Sequence, residues 1–187
     1  MQHRITPFRL IRNIIVSIEI TSTSAVSASA ASASAINKPA LNSGSQGVAV
    51  TELQNLLNGY ASYLRNKAFK VTVDGDFGPM TLKAVRAFQR QVFLPQTGTV
   101  ANLTWRSLYL RGPVDLYQIG NGDSGNLVTL LQQALVSLGY LKANQVDGDF
   151  GPMTRIAVTK YQIKTSLPGN GIVDTNTWFA LSKENRG

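Results

Sequence analysis

The chain has 187 residues, of which 43% are hydrophobic, and this is enough apolar material for one or two small cores. It has no cysteine, which excludes disulfides, thiolate nucleophiles and cysteine-ligated zinc, and its one histidine is His3. A histidine zinc site needs several imidazoles and a Ser-His-Asp triad needs one inside the fold, so the composition argues against both.

The net charge of +8 lies mainly in the first part of the chain. Residues 41–112 carry eight Lys and Arg against three Asp and Glu, whereas residues 113–187 carry six of each. This excess suggests attraction to nucleic acid, anionic lipid or an acidic wall polymer, and the alternative is a solvated basic face. Aromatic residues are not interleaved with the charge as stacking platforms, so we expect no nucleic-acid partner.

Residues 1–40 are typical of an export signal followed by a Ser/Ala-rich tail. The segment starts with basic residues, Arg4, Arg9 and Arg12, and continues with a short apolar run at residues 14–18. Two Ala-x-Ala sites follow at residues 28–30 and 33–35, as in a cleavable export signal. Glu19 weakens the match, and the apolar run is too short for a stable membrane span. An organelle transit peptide and a disordered tail are the alternatives. An export signal predicts an extracytoplasmic protein that is secreted, periplasmic or associated with the cell wall.

The rest of the chain is an internal duplication. The nine residues 73–81, Val-Asp-Gly-Asp-Phe-Gly-Pro-Met-Thr, recur letter for letter as residues 146–154. Asp-Gly and Gly-Pro are turn signals, and Gly-Pro before an apolar-periodic run predicts a helix with Pro at its first position. We expect one Asp to cap local amides, Gly75 to adopt an unusual backbone angle and Phe77 to fill the core.

Each copy predicts three helices, one before this turn and two after it. The first helix carries apolar residues at helical spacing: Val50, Leu53, Leu57, Tyr60 and Leu64 in copy one, and Leu127, Leu131, Leu135 and Leu138 in copy two. The second helix ends before Leu94-Pro95 or Leu167-Pro168. The third carries Thr-Trp-x-x-Leu, and in copy two Asp174 is its expected N-cap.

The copies differ in length between the first helix and the turn. Copy one has five extra residues around 65–70, three of them basic, and we expect this insertion on a surface loop. Arg111-Gly112-Pro113 reads as a linker, so the predicted modules are residues 43–111 and 116–184. Modules of this size are near the lower limit for independent folding, which predicts contact between them.

Both copies contain the same motifs in the same order: Leu-Gln, Asp-Gly-x-Phe-Gly-Pro-x-Thr, Ala-Val, (Phe/Tyr)-Gln, Leu-Pro and Thr-Trp-x-x-Leu. This combination resembles the peptidoglycan-binding domain family, the small three-helix modules attached to many bacterial wall hydrolases. The resemblance covers roughly residues 43–110 and 120–183. It implies an all-α fold of two tandem three-helix modules, binding of wall glycan or its stem peptides, and no catalysis by the module itself. The insertion in copy one and the neutral charge balance of copy two argue against equal ligand affinity.

The repeated Asp residues do not fit a metal or a catalytic site. Counting from Asp74, a calcium loop would need Gly at Pro79 and Glu at Val85, so we expect no metal and no other cofactor. A glycosidase needs two carboxylates about 5–9 Å apart, one of them with a raised pKa. Asp74 and Asp76 lie on a tight turn, where we expect solvent or backbone amides to satisfy both carboxylates. Glutamates are scarce: Glu19 in the tail, Glu52 on an exposed helix face and Glu184 at the C-terminal end.

The aromatic and amide residues that recur near the ends of the units have structural interpretations. Trp105 and Trp178 could stack on sugars, but their spacing with Leu108 and Leu181 on a short helix favours the core. Gln89 and Gln162 adjoin an aromatic core position, so we expect them to satisfy loop backbone groups.

The resemblance implies noncovalent binding of peptidoglycan or another cell-wall polymer. Because the turn is identical in both copies, we place the ligand in a shallow groove beside it, where it would contact backbone amides around Gly75, Gly78 and the following helix start. The predicted site residues are Asp74, Gly75, Asp76, Gly78 and Thr81 in copy one, and Asp147, Gly148, Asp149, Gly151 and Thr154 in copy two. No residue is predicted to be catalytic. The alternatives are a regulatory or targeting partner of a separate wall hydrolase and, less favoured, a wall hydrolase in its own right.

Overall fold

The computed structural model describes residues 37–184, which form six α-helices, two 3₁₀ turns and four isolated antiparallel β-bridges. The first module contains α1 (Val48–Leu64), α2 (Pro79–Gln91) and α3 (Asn102–Leu110), and the second contains α4 (Asn126–Ser137), α5 (Pro152–Lys164) and α6 (Thr175–Glu184). The 3₁₀ turns are Lys67–Phe69 and Ala143–Gln145. The predicted all-α fold of two three-helix modules is confirmed. The predicted export signal lies outside the described residues, and none of the helices within them is long and apolar enough to cross a membrane.

The helix starts follow the sequence signals. Pro79 and Pro152 open α2 and α5 behind an extended glycine, so the missing proline N–H falls where no helical acceptor exists. Asp174 caps α6 as predicted, because its Oδ1 accepts a hydrogen bond from the Thr177 amide at 2.8 Å. Ala101 precedes α3 without any side-chain cap.

Both tryptophans lie in the cores, as predicted. Trp105 is 0% and Trp178 is 1% exposed. The indole N–H of Trp105 donates to the Pro39 carbonyl oxygen at 2.9 Å, and that of Trp178 donates to the Tyr117 carbonyl oxygen at 3.1 Å. Each ring therefore fills its module and holds down the segment that precedes the first helix, which leaves no ring face available for a sugar.

The surface loop predicted at residues 65–70 is present, because this segment follows α1 as a turn and the 3₁₀ turn Lys67–Phe69 and is mostly exposed. The helix before it is also extended relative to its counterpart, since α1 has 17 residues and α4 has 12. Tyr60 continues the buried face of α1, and Phe69, which is 1% exposed, packs edge-on against it with ring centroids 5.1 Å apart. Apolar burial stabilises the extension as helix, while Arg65 and Lys67 remain exposed at its end.

The modules are in direct contact, as their size predicts. Phe93 follows α2 with a φ of 60°, a rare conformation for a bulky residue, and its ring enters the second core, 4.8 Å from Trp178 between centroids. Ser166 occupies the same position after α5, also with a φ of 60°. The Gln91 side-chain amide also donates to the Ser182 carbonyl oxygen. Both modules therefore have the same left-handed bend after their second helix, but only in the first module does the residue at the bend place an aromatic ring in the core of the other module.

Replacing Phe93 tests whether this ring ties the modules together. We expect Phe93→Ala to lower the free energy of unfolding by about 3 kcal/mol, because it empties a buried aromatic site. Urea denaturation measures the change, and Ile163→Ala, at a 65% exposed position, is the control. Equal midpoints for the two variants would show that Phe93 does not carry the contact.

Candidate functional site

The repeated turn is built around a buried glutamine of the first helix. Gln54 is 0% exposed, and its Nε2 donates to Asp74 Oδ1 at 2.7 Å and to the Asp76 carbonyl oxygen at 3.0 Å. Its Oε1 accepts hydrogen bonds from the amides of Asp74 at 3.1 Å and Gly75 at 2.9 Å. One side chain thus satisfies donors and acceptors of a turn about twenty residues later in the chain, which fixes the turn against α1.

The second module repeats this network around Gln132. Its Nε2 donates to Asp147 Oδ1 at 2.8 Å and to the Asp149 carbonyl oxygen at 3.0 Å. Its Oε1 accepts from the amides of Asp147 at 3.1 Å and Gly148 at 2.9 Å. The two turns are therefore the same in hydrogen bonding as well as in sequence.

The predicted site residues Thr81 and Thr154 belong to this interior network. Each is 3% exposed, and its hydroxyl oxygen accepts from the glutamine Nε2, at 3.3 Å for Thr81 and 3.0 Å for Thr154. These threonines lie in the first turn of α2 and α5, so they connect the glutamine to the start of the second helix.

The first Asp of each motif acts as the predicted cap. Asp74 Oδ1 accepts from the Asp76 amide at 2.9 Å, and this bond, followed by the one from Gln54, lowers the pKa of Asp74. The same two kinds of bond lower the pKa of Asp147, with Gln132 as the larger cause.

The glycines of the motif serve the turn as well. Gly75 has a φ of 77°, and a Cβ there would lie 3.1 Å from Thr51 Oγ1, so only glycine fits without strain. The Gly78 amide donates to the Asp76 carbonyl oxygen at 2.9 Å, and the Gly151 amide makes the matching bond to Asp149. The amides of these glycines are thus engaged within the fold.

A second set of repeated residues is exposed and has no part in these networks. The carboxylates of Asp76 and Asp149 are exposed and form no hydrogen bond or ion pair with any side chain or amide of residues 37–184. Met80 is 65% and Met153 is 54% exposed, each at the second position of its helix. The structure therefore divides the motif into buried residues that build the turn and exposed residues beside it.

An open groove lies beside the turn of the second module. A cavity of about 530 Å³ is lined by Pro152, Arg155 and Ile156 of α5 and by Asn170 of the loop that follows this helix. A neighbouring cavity of about 380 Å³ shares Arg155 and Asn170 and extends to Asp123. We call the two together the α5 groove.

The matching side of the first module differs in chemistry. Leu82 stands at the position of Arg155, and Arg86 at that of Thr159. Leu82 Cδ1 lies only 2.4 Å from where a Cβ on Gly98 would be, so this side chain packs closely on the loop. The two modules thus share the turn but present different side chains along the second helix.

Glu52, the glutamate of the first module, is engaged in an ion pair. Glu52 accepts from Lys38 Nζ at 2.6 Å and from the Tyr109 hydroxyl, and these bonds, with that of Lys38 the larger, lower its pKa. It is half-buried, not on an exposed face. Within residues 37–184, no three His, Cys, Asp or Glu side chains form a group that could hold a metal ion.

The sequence prediction assigned no role to Gln54 and Gln132, although it noted the repeated Leu-Gln pair. The available signal was that this glutamine follows a core leucine and precedes the next by three residues, on the inner side of an amphipathic helix. The prediction for Gln89 and Gln162 is confirmed, because their Oε1 atoms accept from the amides of Gly98 and Gly171, both at 2.9 Å.

Comparison with known proteins agrees with this architecture. The peptidoglycan binding domain family matches residues 46–108 and 124–181, and each segment contains one turn with its buried glutamine. The chain belongs to the peptidoglycan-binding domain family.

The chain is also similar to parts of longer proteins. The chain is 33% identical over 155 residues to the N-acetylmuramoyl-L-alanine amidase CwlM of Mycobacterium tuberculosis, covering 75% of this chain and 37% of that protein. It is 27% identical over 160 residues to the amidase CwlL of Bacillus licheniformis, covering 73% of this chain and 43% of that protein. An uncharacterised Kitasatospora aureofaciens protein is 45% identical over 64 residues, which are 34% of this chain and 53% of that one. The chain spans about two fifths of the length of the two amidases.

Removing the buried glutamine tests its role in the turn. We expect Gln132→Ala to lower the free energy of unfolding by about 2 kcal/mol, because it leaves the amides of Asp147 and Gly148 without their acceptor. Gln133→Ala, at the exposed neighbouring position, is the matched control and is expected to stay close to wild type. Chemical denaturation of both variants gives the comparison, and equal stabilities would contradict the role assigned to Gln132.

Proposed function

We propose that the chain binds peptidoglycan noncovalently through the surfaces beside the two repeated turns and does not cleave it. The observation that carries this proposal is that exposed residues of the motif are identical in both modules although they take no part in the buried hydrogen-bond network. Asp76 and Met80 recur as Asp149 and Met153, although the buried network accounts only for the other polar residues of the motif. A repeated exposed pair of this kind suits contact with a repetitive ligand.

The chemistry of this pair suits a glycan of N-acetylated sugars with attached peptides. A carboxylate accepts hydrogen bonds from sugar hydroxyls and from acetamido or peptide N–H groups. The methionine thioether, flexible and polarizable, can pack against acetyl methyl groups or the apolar face of a sugar ring. The network beneath holds the turn in one conformation, so little ordering cost is added on binding.

The remaining predicted residues support the surface from within. Asp74, Gly75 and Thr81, and their counterparts Asp147, Gly148 and Thr154, shape the turn through the glutamine, while Gly78 and Gly151 begin the second helix. In this proposal they position the site, and Asp76, Met80 and their repeats contact the ligand.

The α5 groove adds a feature to the second module only. Arg155 can pair with a carboxylate of a stem peptide, while Ile156 and Asn170 lie along the same cavity and can contact its methyl and amide groups. Leu82 replaces this arginine in the first module. We therefore propose that the second module binds peptide-bearing glycan more tightly than the first.

Two sites on one chain raise the avidity for a repetitive polymer. The modules, which we assign to residues 43–111 and 116–184, are held in contact by Phe93 and by the hydrogen bond from Gln91 to Ser182. A fixed spacing that matches the polymer would raise overall affinity by roughly 10²–10⁴ over one site. Residues 1–40 would direct export, which would bring the protein to the wall.

A second candidate function follows from the relatives. Two of them are named as amidases, and the chain spans about two fifths of their length. The chain could therefore act as a targeting or regulatory partner of a separate wall hydrolase. Hydrolysis by the chain itself has less support, because Glu52 is already held by Lys38 and Tyr109.

Sedimentation with purified sacculi tests the proposal. We expect the full chain to sediment with them, and the quadruple variant D76N/M80A/D149N/M153A to bind about tenfold more weakly. The control is N55A/Q133A/I163A/E184Q, with four changes at exposed positions away from the turns.

The outcomes separate the candidate functions. Wild-type protein that stays in the supernatant at low and moderate salt would overturn the proposal. An equal loss of sacculus binding in the quadruple variant and its control would show that the surfaces beside the turns do not contact the ligand. Soluble fragments released from the sacculi would identify a hydrolase. Retention only when a hydrolase is present would identify a targeting partner.

A further inference from the structure

A basic groove lies where the two modules meet, apart from both turns. It has a volume of about 340 Å³, and we call it the junction groove. Its lining includes Arg65, Lys67 and Arg90 from the first module and Lys183 from the second, with the amide side chains of Asn66 and Gln91. No Asp or Glu of residues 37–184 is part of this lining. Four cationic side chains around one opening make it a candidate site for an anion.

The first module forms much of its side of the junction groove from residues 64–69, where α1 ends and the 3₁₀ turn follows. Arg65 ends α1 in the left-handed region, with a φ of 51°. Asn66 Oδ1 then accepts from the Ala68 amide at 3.0 Å and starts the 3₁₀ turn that carries Lys67. Phe69, buried against Tyr60, anchors this turn. The two cations therefore lie on an ordered segment.

The second module is held against the end of α2, which forms another part of the lining, by contacts next to Lys183. Gln91 donates to the carbonyl oxygen of Ser182, the residue before Lys183, and Phe93 packs on Trp178 of the same helix. The junction groove is thus a feature of the paired modules, and separating them would remove one of its walls.

Three of the cations in the junction groove have no carboxylate partner in the part of the chain that the structure describes. Arg65, Lys67 and Lys183 form no ion pair within residues 37–184. A ligand with a single carboxylate needs only one arginine as its partner. Several cations along one opening therefore fit a ligand that carries negative charges at regular intervals. Arginine also matches phosphate geometry, and lysine supplies further point charges.

We propose that the junction groove binds a phosphodiester-linked anionic polymer of the cell wall. This inference rests on the proposed function for its wall context, but it concerns a different ligand and a different surface. The glycan would contact the turns while the anionic polymer occupies the junction groove, so one chain would bind both wall components.

The test compares sacculi that retain their phosphodiester polymer with the same sacculi after acid extraction of that polymer. The groove variant is R65Q/K67Q/K183Q in the full chain, and the matched control is K83Q/K142Q/K164Q, which removes three exposed positive charges elsewhere. We expect the groove variant to bind polymer-bearing sacculi at least tenfold more weakly than the control, with a smaller salt dependence. On extracted sacculi the two should bind alike. Denaturation of each variant confirms folding, and K67Q/K183Q, which keeps Arg65, replaces the triple variant if that one is unstable.

Several results would overturn the inference. Equal losses for the groove variant and the control would indicate nonspecific attraction of charge, and wild-type binding by the groove variant would exclude the site. Stronger competition by a single-stranded oligonucleotide than by polymer fragments of equal charge would identify nucleic acid as the ligand class. Binding of wild-type protein to polymer-bearing but not to extracted sacculi would contradict the proposed glycan function and leave the junction groove supported.

Discussion

One buried amide side chain in each module determines the rest of the structure. Gln54 and Gln132 are removed from water at the centre of the first helix, a position that is costly unless every donor and acceptor is paired. The repeated turn supplies those partners: a carboxylate, a carbonyl oxygen, a hydroxyl and two amides. Helix and turn therefore require each other, which explains why the motif permits so little variation between the copies.

The same device holds the second loop of each module. Gln89 and Gln162 form hydrogen bonds with the backbone of the loops around Gly98 and Gly171. In each module, the loops before and after the second helix are therefore both fixed by a glutamine on the buried side of a helix. Small modules with little apolar core gain a single conformation in this way, since satisfied buried polar networks specify structure as well as stabilise it. Exposed residues on such turns are presented to a ligand in a defined position. The surface beside the turn is thus a consequence of how the module folds.

Much of the fold could be predicted because it depends on local signals. The duplication, the Gly-Pro helix starts, the Asp174 cap and the buried tryptophans all follow from spacing within one segment. Phe93 could not be predicted as a contact between modules, because its counterpart is Ser166 and only the left-handed bend aims its ring outward. The difference in length between the copies predicts the surface loop at residues 65–70 but not the longer helix before it, which depends on the burial of Tyr60 against Phe69. The division of the motif into buried and exposed residues required the structure, since periodicity does not tell which polar side chain of a turn faces inward.

The two modules have kept the turn and diverged around it, with an extended basic segment in the first and the α5 groove in the second. The central claim is that the exposed residues beside the shared turn contact the wall ligand. The most direct measurement is NMR of methyl-labelled methionine during titration with a soluble peptidoglycan fragment, which is simple because the chain has three methionines. The account predicts that the Met80 and Met153 methyl signals shift with saturation, while the indole N–H signals of Trp105 and Trp178 stay in place. Saturable binding that leaves both methyl signals unchanged would contradict it.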